Sequence, residues 1–477
     1  MKKWRQCVAL LAAAGTLVSQ SPAAAETLPN LFPFLNSTGF LETYNMAGGP
    51  ISLSGPFFQP LGANGRSCGT CHRPGQGWSL SSDEVKLRFE LTLGKDPLFR
   101  TVDGSNCNEH VDTSTFSGRR KAYSLLLDRG LIRIELPVPN NAEFTVTSVE
   151  NPYGCDSSSA LSLYRRPIPS TNLRFQSAIM WDARESSPQT GTQKITYATN
   201  PTDLLADLAH QALDATSGHA QGSIPLTAAQ QKEIVDFEMS LITAQAYDYQ
   251  AGALNGGAVD GGPLYLAQHA MPNFFIGIND PLDGNPKNIP FTATIFELFD
   301  SWTHVASVPF DFFGQARTRR ESIARGEAIF NSKAIDITGV AGLNDDLNTA
   351  SIPGTCGTCH DSPAIGNHSL PIPLNIGVGD TDSPLDVSYL PVFTLQNKTT
   401  SETIRTTDPG RALITGAWKD IGRLKGPVLR GLSSRAPYFH NGSARNLGDV
   451  VDFYNTRFHI GFSSQEKQDL IAFLSAL

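Results

Sequence analysis

One pentapeptide occurs twice in this chain of 477 residues: Cys68-Gly69-Thr70-Cys71-His72 returns, letter for letter, as Cys356-Gly357-Thr358-Cys359-His360. Two thiols three positions apart, followed at once by an imidazole, form the attachment pattern of a c-type haem. The thiols add to the haem vinyl groups and tether the macrocycle. The adjacent His then lies beneath the ring, where it can ligate the iron. A zinc or dithiol pair is the competing reading of a single C-x-x-C. Two copies with His in the same place, among only seven cysteines, weigh against it. The chain is therefore expected to carry two covalent haems on Cys68, Cys71, Cys356 and Cys359, with His72 and His360 as iron ligands.

The remaining cysteines follow from the N-terminus. Met1-Lys2-Lys3-Trp4-Arg5 is basic, Cys7 to Val18 is apolar, and Ala23-Ala24-Ala25 offers an A-x-A cleavage site. This reads as a signal peptide over residues 1–25, too short in its apolar part to cross a bilayer. No later run is long enough for a transmembrane segment. The mature protein is expected to start near Glu26 and to be periplasmic. Export removes Cys7 and leaves Cys107 and Cys155, which are expected to form a disulfide in an oxidising compartment. A net charge of −8 excludes a nucleic-acid partner as the main expectation, since that would need a basic face.

Two segments look like the closing helices of two copies of one unit: Leu226-Thr-Ala-Ala-Gln-Gln-Lys-Glu-Ile-Val-Asp-Phe and Phe462-Ser-Ser-Gln-Glu-Lys-Gln-Asp-Leu-Ile-Ala-Phe. Thr227 and Ser463 each begin a capping box. Further helices are predicted over Asp203 to Thr216, from Thr227 to about Ile242, and around Ile323 to Phe330. Leu131 to Leu136 and Phe144 to Val149 alternate like strands. The predicted architecture is mainly α, with two cytochrome c-like haem domains and a β-containing insertion in the first. The domains would span 26–245, with the insertion at about 84–165, and 316–477. Residues 246–315, rich in Gly, Asn and Pro, would be linker and loop.

The far side of each iron decides what the haem does. The methionines are Met1, Met46, Met180, Met239 and Met271, so the second domain has none to offer its own haem. Its candidates are His368, His440, His459 or a tyrosine.

The stretch from Lys425 to Ser443, containing Pro437-Tyr-Phe-His440, and the following Leu447-Gly-Asp-Val-Val-Asp-Phe-Tyr454 resemble the C-terminal signature of the bacterial di-haem cytochrome c peroxidase and MauG superfamily. Ile179-Met180-Trp181-Asp182-Ala183-Arg184 is similar to that superfamily's F-W-D-G-R stretch. The resemblance covers both haem domains but not most of 84–165 or 246–315. It implies that Tyr454 is the distal ligand of the second haem, at the place of Met in the peroxidases and Tyr in MauG-type enzymes. It implies that Trp181 relays electrons between the haems. His440 would stand behind the second haem near the domain interface rather than ligate iron. A calcium ion between the domains would be held partly by the carbonyls of Arg435 and Pro437.

The first haem would be the peroxide site. The family's Gln is matched by Gln211, whereas Gln221 falls at the family's catalytic Glu, with His219 beside it. Breaking an O–O bond needs a group that moves a proton between the oxygens. His219 is the residue here that can do so near neutrality. His219 or His110 could instead ligate the iron and block the site until reduction.

The resemblance thus implies a cytochrome c peroxidase-like di-haem oxidoreductase. It would take hydrogen peroxide as substrate and electrons from a small donor such as a cytochrome c. A MauG-like oxidase is the rival, in which the haems share a high-valent state and oxidise a partner protein or organic substrate. A purely electron-transferring di-haem cytochrome is the reading from another class.

Overall fold

A computed structural model describes residues 26–477 apart from 110, 156–158, 187–200, 283, 306–310, 312–313 and 371. The expected signal peptide, residues 1–25, and His110 lie outside the described residues.

In chain order the main elements are β1 (Gly39–Asn45), α1 (Ser82–Thr92), α2 (Phe116–Ala122), α3 (Ser124–Arg129), β2 (Ile132–Pro137), β3 (Phe144–Glu150) and β4 (Ala160–Arg165). Then come α4 (Pro201–Gly218), α5 (Ala228–Ser240), β5 (Leu241–Asp248) and α6 (Gln315–Ser332). The chain closes with β6 (Val392–Asn397), β7 (Thr403–Thr406), α7 (Leu447–Arg457) and α8 (Ser464–Ala476). Helices make up 32% of the structure and strands 18%, so the fold is mixed rather than mainly α.

The expected local signals govern the helix starts. Thr227 and Ser463 both form reciprocal capping boxes, with Gln230 and Glu466. The predicted helix to Ile242 ends sooner, at Ser240, because the chain passes directly into β5. That strand pairs antiparallel with β1, from Gly39 opposite Asp248 to Asn45 opposite Leu241. The ladder supplies the backbone partners a longer helix would have supplied.

The two predicted strands of the insertion do not pair with each other. β2 pairs with β4, whereas β3 pairs with β6, which belongs to the second half of the chain. The insertion therefore bridges both halves. The Cys107–Cys155 disulfide is present, with a Cα–Cα distance of 5.6 Å.

The stretch 246–315 is also more than a linker. Phe296, Phe299 and Trp302 are buried in the same core as Phe330 and Phe473. The Glu327 carboxylate of α6 accepts from the backbone N–H groups of Leu298 at 2.6 Å and Phe299 at 2.9 Å, which anchors the stretch to the second unit.

A duplicated turn joins the halves. Asn172, Met180 and Ala183 have left-handed backbones (φ 59°, 70° and 55°), as do Gly431, Phe439 and Gly442 in the same register (68°, 64° and 66°). Ile179 bridges Glu185 as Tyr438 bridges Ala444. The segments carrying Trp181 and His440 are thus copies of one substructure. Non-glycine residues in this region of backbone space cluster at functional sites.

Candidate functional site

Each C-x-x-C-H begins on a single 3₁₀ turn, Cys68–Thr70 or Cys356–Thr358. The identical letters have local reasons. The Thr hydroxyls accept from the N–H of Ser67 at 3.0 Å and of Thr355 at 3.1 Å, closing the turn. A Cβ on Gly69 would lie 2.6 Å from the Phe58 ring, and one on Gly357 would lie 2.7 Å from Ile295. The four motif cysteines are not in disulfides. Burial pushes the thiols of Cys68, Cys356 and Cys359 up to about 12.

Both imidazoles are oriented through Nδ1. In His72 it lies 3.0 Å from the Trp78 carbonyl and 3.0 Å from Ser170 Oγ; in His360 it lies 2.6 Å from the Gly366 carbonyl. Donation from Nδ1 leaves Nε2 as the lone-pair nitrogen, the tautomer a metal ligand needs. Burial holds His72 down at about 4 and lowers His360, so both are neutral at pH 7. Phe57 and Phe330 stand at the same distance from their imidazoles, 6.1 Å between centroids.

Each motif opens onto a cavity, of about 1300 Å³ for the first and 1880 Å³ for the second, mouths included. Their walls are largely apolar, and each can hold a c-type haem.

The far walls differ. α7 faces the second cavity with Leu447, Val450, Val451, Tyr454 and Phe458. α4 faces the first with Leu208, Gln211, Ala212, Ala215 and His219, at the same helical spacing. Both helices end alike: the Phe458 N–H donates to the Tyr454 carbonyl at 3.1 Å, and the His219 N–H to the Ala215 carbonyl at 2.9 Å. Where the second cavity carries the Tyr454 phenol, the first carries only the Ala215 methyl. Burial pushes the Tyr454 phenol up, so its ionisation requires a facing cation.

The other candidates expected for a second iron sort out. His459 is exposed and does not line the cavity. His368 lines it, with Nδ1 2.7 Å from the Asp361 carboxylate. His440 lines it but faces Trp181.

In the first cavity His219 Nδ1 lies 2.6 Å from Asp103 Oδ2. Asp103 also pairs with the buried Arg66. Burial alone would raise the Asp103 carboxyl; the His219 hydrogen bond and the Arg66 guanidinium outweigh it and hold it below the usual range. Sequence reasoning missed Asp103, which lies in the insertion, 116 positions from His219. No local pattern marks it. Gln211 does line the cavity. Gln221 does not: it is exposed, in a left-handed turn beyond α4, and cannot serve the catalytic place expected of it. Glu238 also lines this cavity, fully buried and pushed up to about 7 by burial.

Trp181 lines both cavities. Its ring centroid is 6.2 Å from that of His440, its counterpart in the duplicated turn, at 63°. The backbone is exchanged between copies: the Arg166 N–H donates to the His440 carbonyl and the Lys425 N–H to the Trp181 carbonyl, both at 2.7 Å. Beside them the fully buried Arg165 joins Asp182 and Asp408. The calcium expected at the Arg435 and Pro437 carbonyls does not fit. The Arg435 carbonyl accepts from Arg166 Nη2 at 2.8 Å, so a positive charge already stands there.

No protein-family model matches the chain. The cytochrome-c peroxidase IdrP1 of Pseudomonas sp. (strain SCT) is 31% identical over 193 residues, covering 36% of this chain and 44% of the relative. The cytochrome-c peroxidase IdrP2 of Denitromonas iodatirespirans is 33% identical over 135 residues, covering 26% and 36%. The matched part thus spans less than half the length of these curated relatives. Among solved structures, a MauG-like protein associated with microbial copper homeostasis is 14% identical with a TM-score of 0.34, covering 88% of this chain and 87% of that one. Hydrazine synthase of Kuenenia stuttgartiensis is 14% identical with a TM-score of 0.33, covering 83% and 93%.

Proposed function

We propose that this chain is a member of the bacterial di-haem cytochrome c peroxidase and MauG superfamily, in line with its similarity to cytochrome-c peroxidases, and is an exported oxidoreductase with two covalent haems that reduces hydrogen peroxide at the first. Hydrogen peroxide takes up two electrons and two protons and leaves as two waters. The bound haem iron would supply the electrons and the point at which the O–O bond breaks.

The observation that carries this reading is the difference between two equivalent helices. On α7 the wall residue is Tyr454; on α4 it is Ala215, one turn before His219. The first pocket leaves space for a small oxidant beside an imidazole, and the second fills that space with a phenol. Cys68, Cys71 and His72 would hold the first haem; Cys356, Cys359 and His360 would hold the second. Asp103 accepts from His219 Nδ1, which leaves Nε2 as the atom that takes a proton from one peroxide oxygen and returns it to the other. Trp181, in the wall of both pockets, is the side chain through which electrons would pass from a donor such as a cytochrome c. Lowered by burial to about 4, His440 stays neutral against Trp181.

Tyr454 favours the second reading, a MauG-like oxidase acting on a protein or organic substrate. An oxygen ligand without Met stabilises oxidised iron and suits a store of oxidising equivalents.

The resting ferric spectrum tests the asymmetry. One high-spin and one low-spin haem are expected; two low-spin haems that stay closed on reduction would overturn both enzyme readings. Steady peroxide turnover with reduced cytochrome c supports the peroxidase. A long-lived oxidised state formed without prior reduction supports the oxidase instead.

A further inference from the structure

The wall between the two cavities holds positive charge that no carboxylate meets. Arg166 and Lys425 each line both cavities, and Arg435 lines the second. Arg166 is 5% exposed and Lys425 8%. Among the described residues none of the three forms an ion pair. The Arg166 guanidinium donates to the carbonyls of Leu80, Arg129 (3.1 Å), Gly130 (3.4 Å) and Arg435 (2.8 Å). Lys425 Nζ donates to Gln176 Oε1 at 2.6 Å. Arg435 donates to the carbonyls of Val428 and Arg430.

Among the other buried cations of the described residues, Arg430 also lacks a carboxylate in ion-pair reach, but others are matched. Arg165 has Asp182 and Asp408, and Arg66 has Asp103. A buried, uncompensated charge costs several kcal/mol, and neighbouring like charges add to that cost. Burial pushes Lys425 down to about 7; burial, together with the like charge of Arg435, pushes Arg166 down to about 9. Such a group persists where a bound anion completes it. Arg166 and Lys425 also occupy matching places in the duplicated substructure, as their exchanged backbone bonds to His440 and Trp181 show. Each copy therefore contributes one cation to a wall that both cavities share.

Resting on the reading that each cavity holds a haem, we infer that Arg166 and Lys425, with Arg435, form a shared cationic clamp for the haem propionates. A haem carries its vinyl and propionate groups on opposite edges. Thioether bonds at Cys68, Cys71, Cys356 and Cys359 fix the vinyl edges, which leaves the carboxylates for the far edges. The clamp turns both acidic edges toward Trp181 and His440. One pair of cations then serves two rings, so a change in its charge is felt by both.

The test is a potentiometric titration of the purified holoprotein against Lys425→Met and Lys425→Arg. Loss of the charge in Lys425→Met should disfavour reduction of both haems by about tenfold or more, roughly 59 mV for each tenfold in a one-electron couple. Lys425→Arg should restore both potentials. An unchanged pair of potentials, or a shift confined to one haem, overturns the shared clamp. Resonance Raman of the unmodified holoprotein tests it without any variant. Propionate bending modes of cation-bonded carboxylates are expected at both haems, and free-carboxylate modes overturn the inference. Mass spectrometry of the same sample counts the covalent haems: fewer than two overturns the underlying reading, whereas two haems with unmoved potentials overturn the clamp alone.

Discussion

Replacing His219 by Leu removes the proposed proton carrier from the first pocket while stranding little. The side chain is 39% exposed and hydrogen-bonds through Nδ1 to Asp103. Arg66 remains paired with Asp103, so no buried charge is left alone. The stability change should therefore stay within about 1 kcal/mol. The reaction with peroxide should slow by roughly 10²–10⁴, equivalent to about 3–5 kcal/mol of activation free energy. Asp103→Asn is the informative companion. It keeps the imidazole but weakens the group that fixes its tautomer, and it leaves buried Arg66 without its carboxylate, at about 3–5 kcal/mol in stability. The two variants thus separate: one loses rate without stability, the other loses both. Stopped-flow measurement of the second-order rate constant with peroxide, beside urea denaturation, reads each axis. A folded His219→Leu protein reacting within about threefold of the parent would refute the assignment, because so small a loss is below 1 kcal/mol of barrier.

The remaining predictions concern the second pocket and the scaffold. Tyr454→Phe keeps the apolar wall of Leu447, Val450, Val451 and Phe458, so stability should change by less than about 1 kcal/mol. The spectrum of the second haem should change and that of the first should not; an untouched second haem rules Tyr454 out as its ligand. Asp182 is held at about 2 against an ordinary 3.8: burial opposes this, and the Arg184 and Arg165 guanidiniums outweigh it. A folded value below the unfolded one stabilises the protein above about pH 4 and is lost as pH falls toward 2. Asp182→Asn should therefore flatten the acid slope of stability by about 2 kcal/mol, and an unchanged slope between pH 5 and 2 contradicts this. Replacing both Cys107 and Cys155 by Ser frees a span of 48 residues and should cost roughly 4 kcal/mol by chain entropy, read from the urea midpoint. A loss under about 1 kcal/mol would mean that β2–β4 and β3–β6 pairing already constrains the insertion.

Local chemistry was legible from the residues alone. The haem-attachment reading of Cys68 to His72 and Cys356 to His360 rests on five letters each, since attachment and ligation would act within one turn of chain. The capping boxes at Thr227 and Ser463 span four residues and formed as read. The absence of Met beyond Met271 excluded one ligand without any geometry, and Tyr454 does stand in the wall of the second cavity. Counting along the chain failed at Gln221, where a left-handed turn carries the side chain out of the pocket. It also failed for β3, whose partner is β6 from the other half of the chain.

What the sequence by itself determined is where two haem-attachment patterns stand and that the second half offers no Met for an iron bound there. Only the tertiary structure decided how the two pockets differ. It aligned Ala215 with Tyr454 on equivalent helices and set Asp103 behind His219. It also brought Arg166 and Lys425 into one wall beside Trp181. The physical reason is range. Covalent tethers and helix caps are fixed by neighbours in sequence, whereas a proton relay or a buried cation pair depends on which distant backbones pack together.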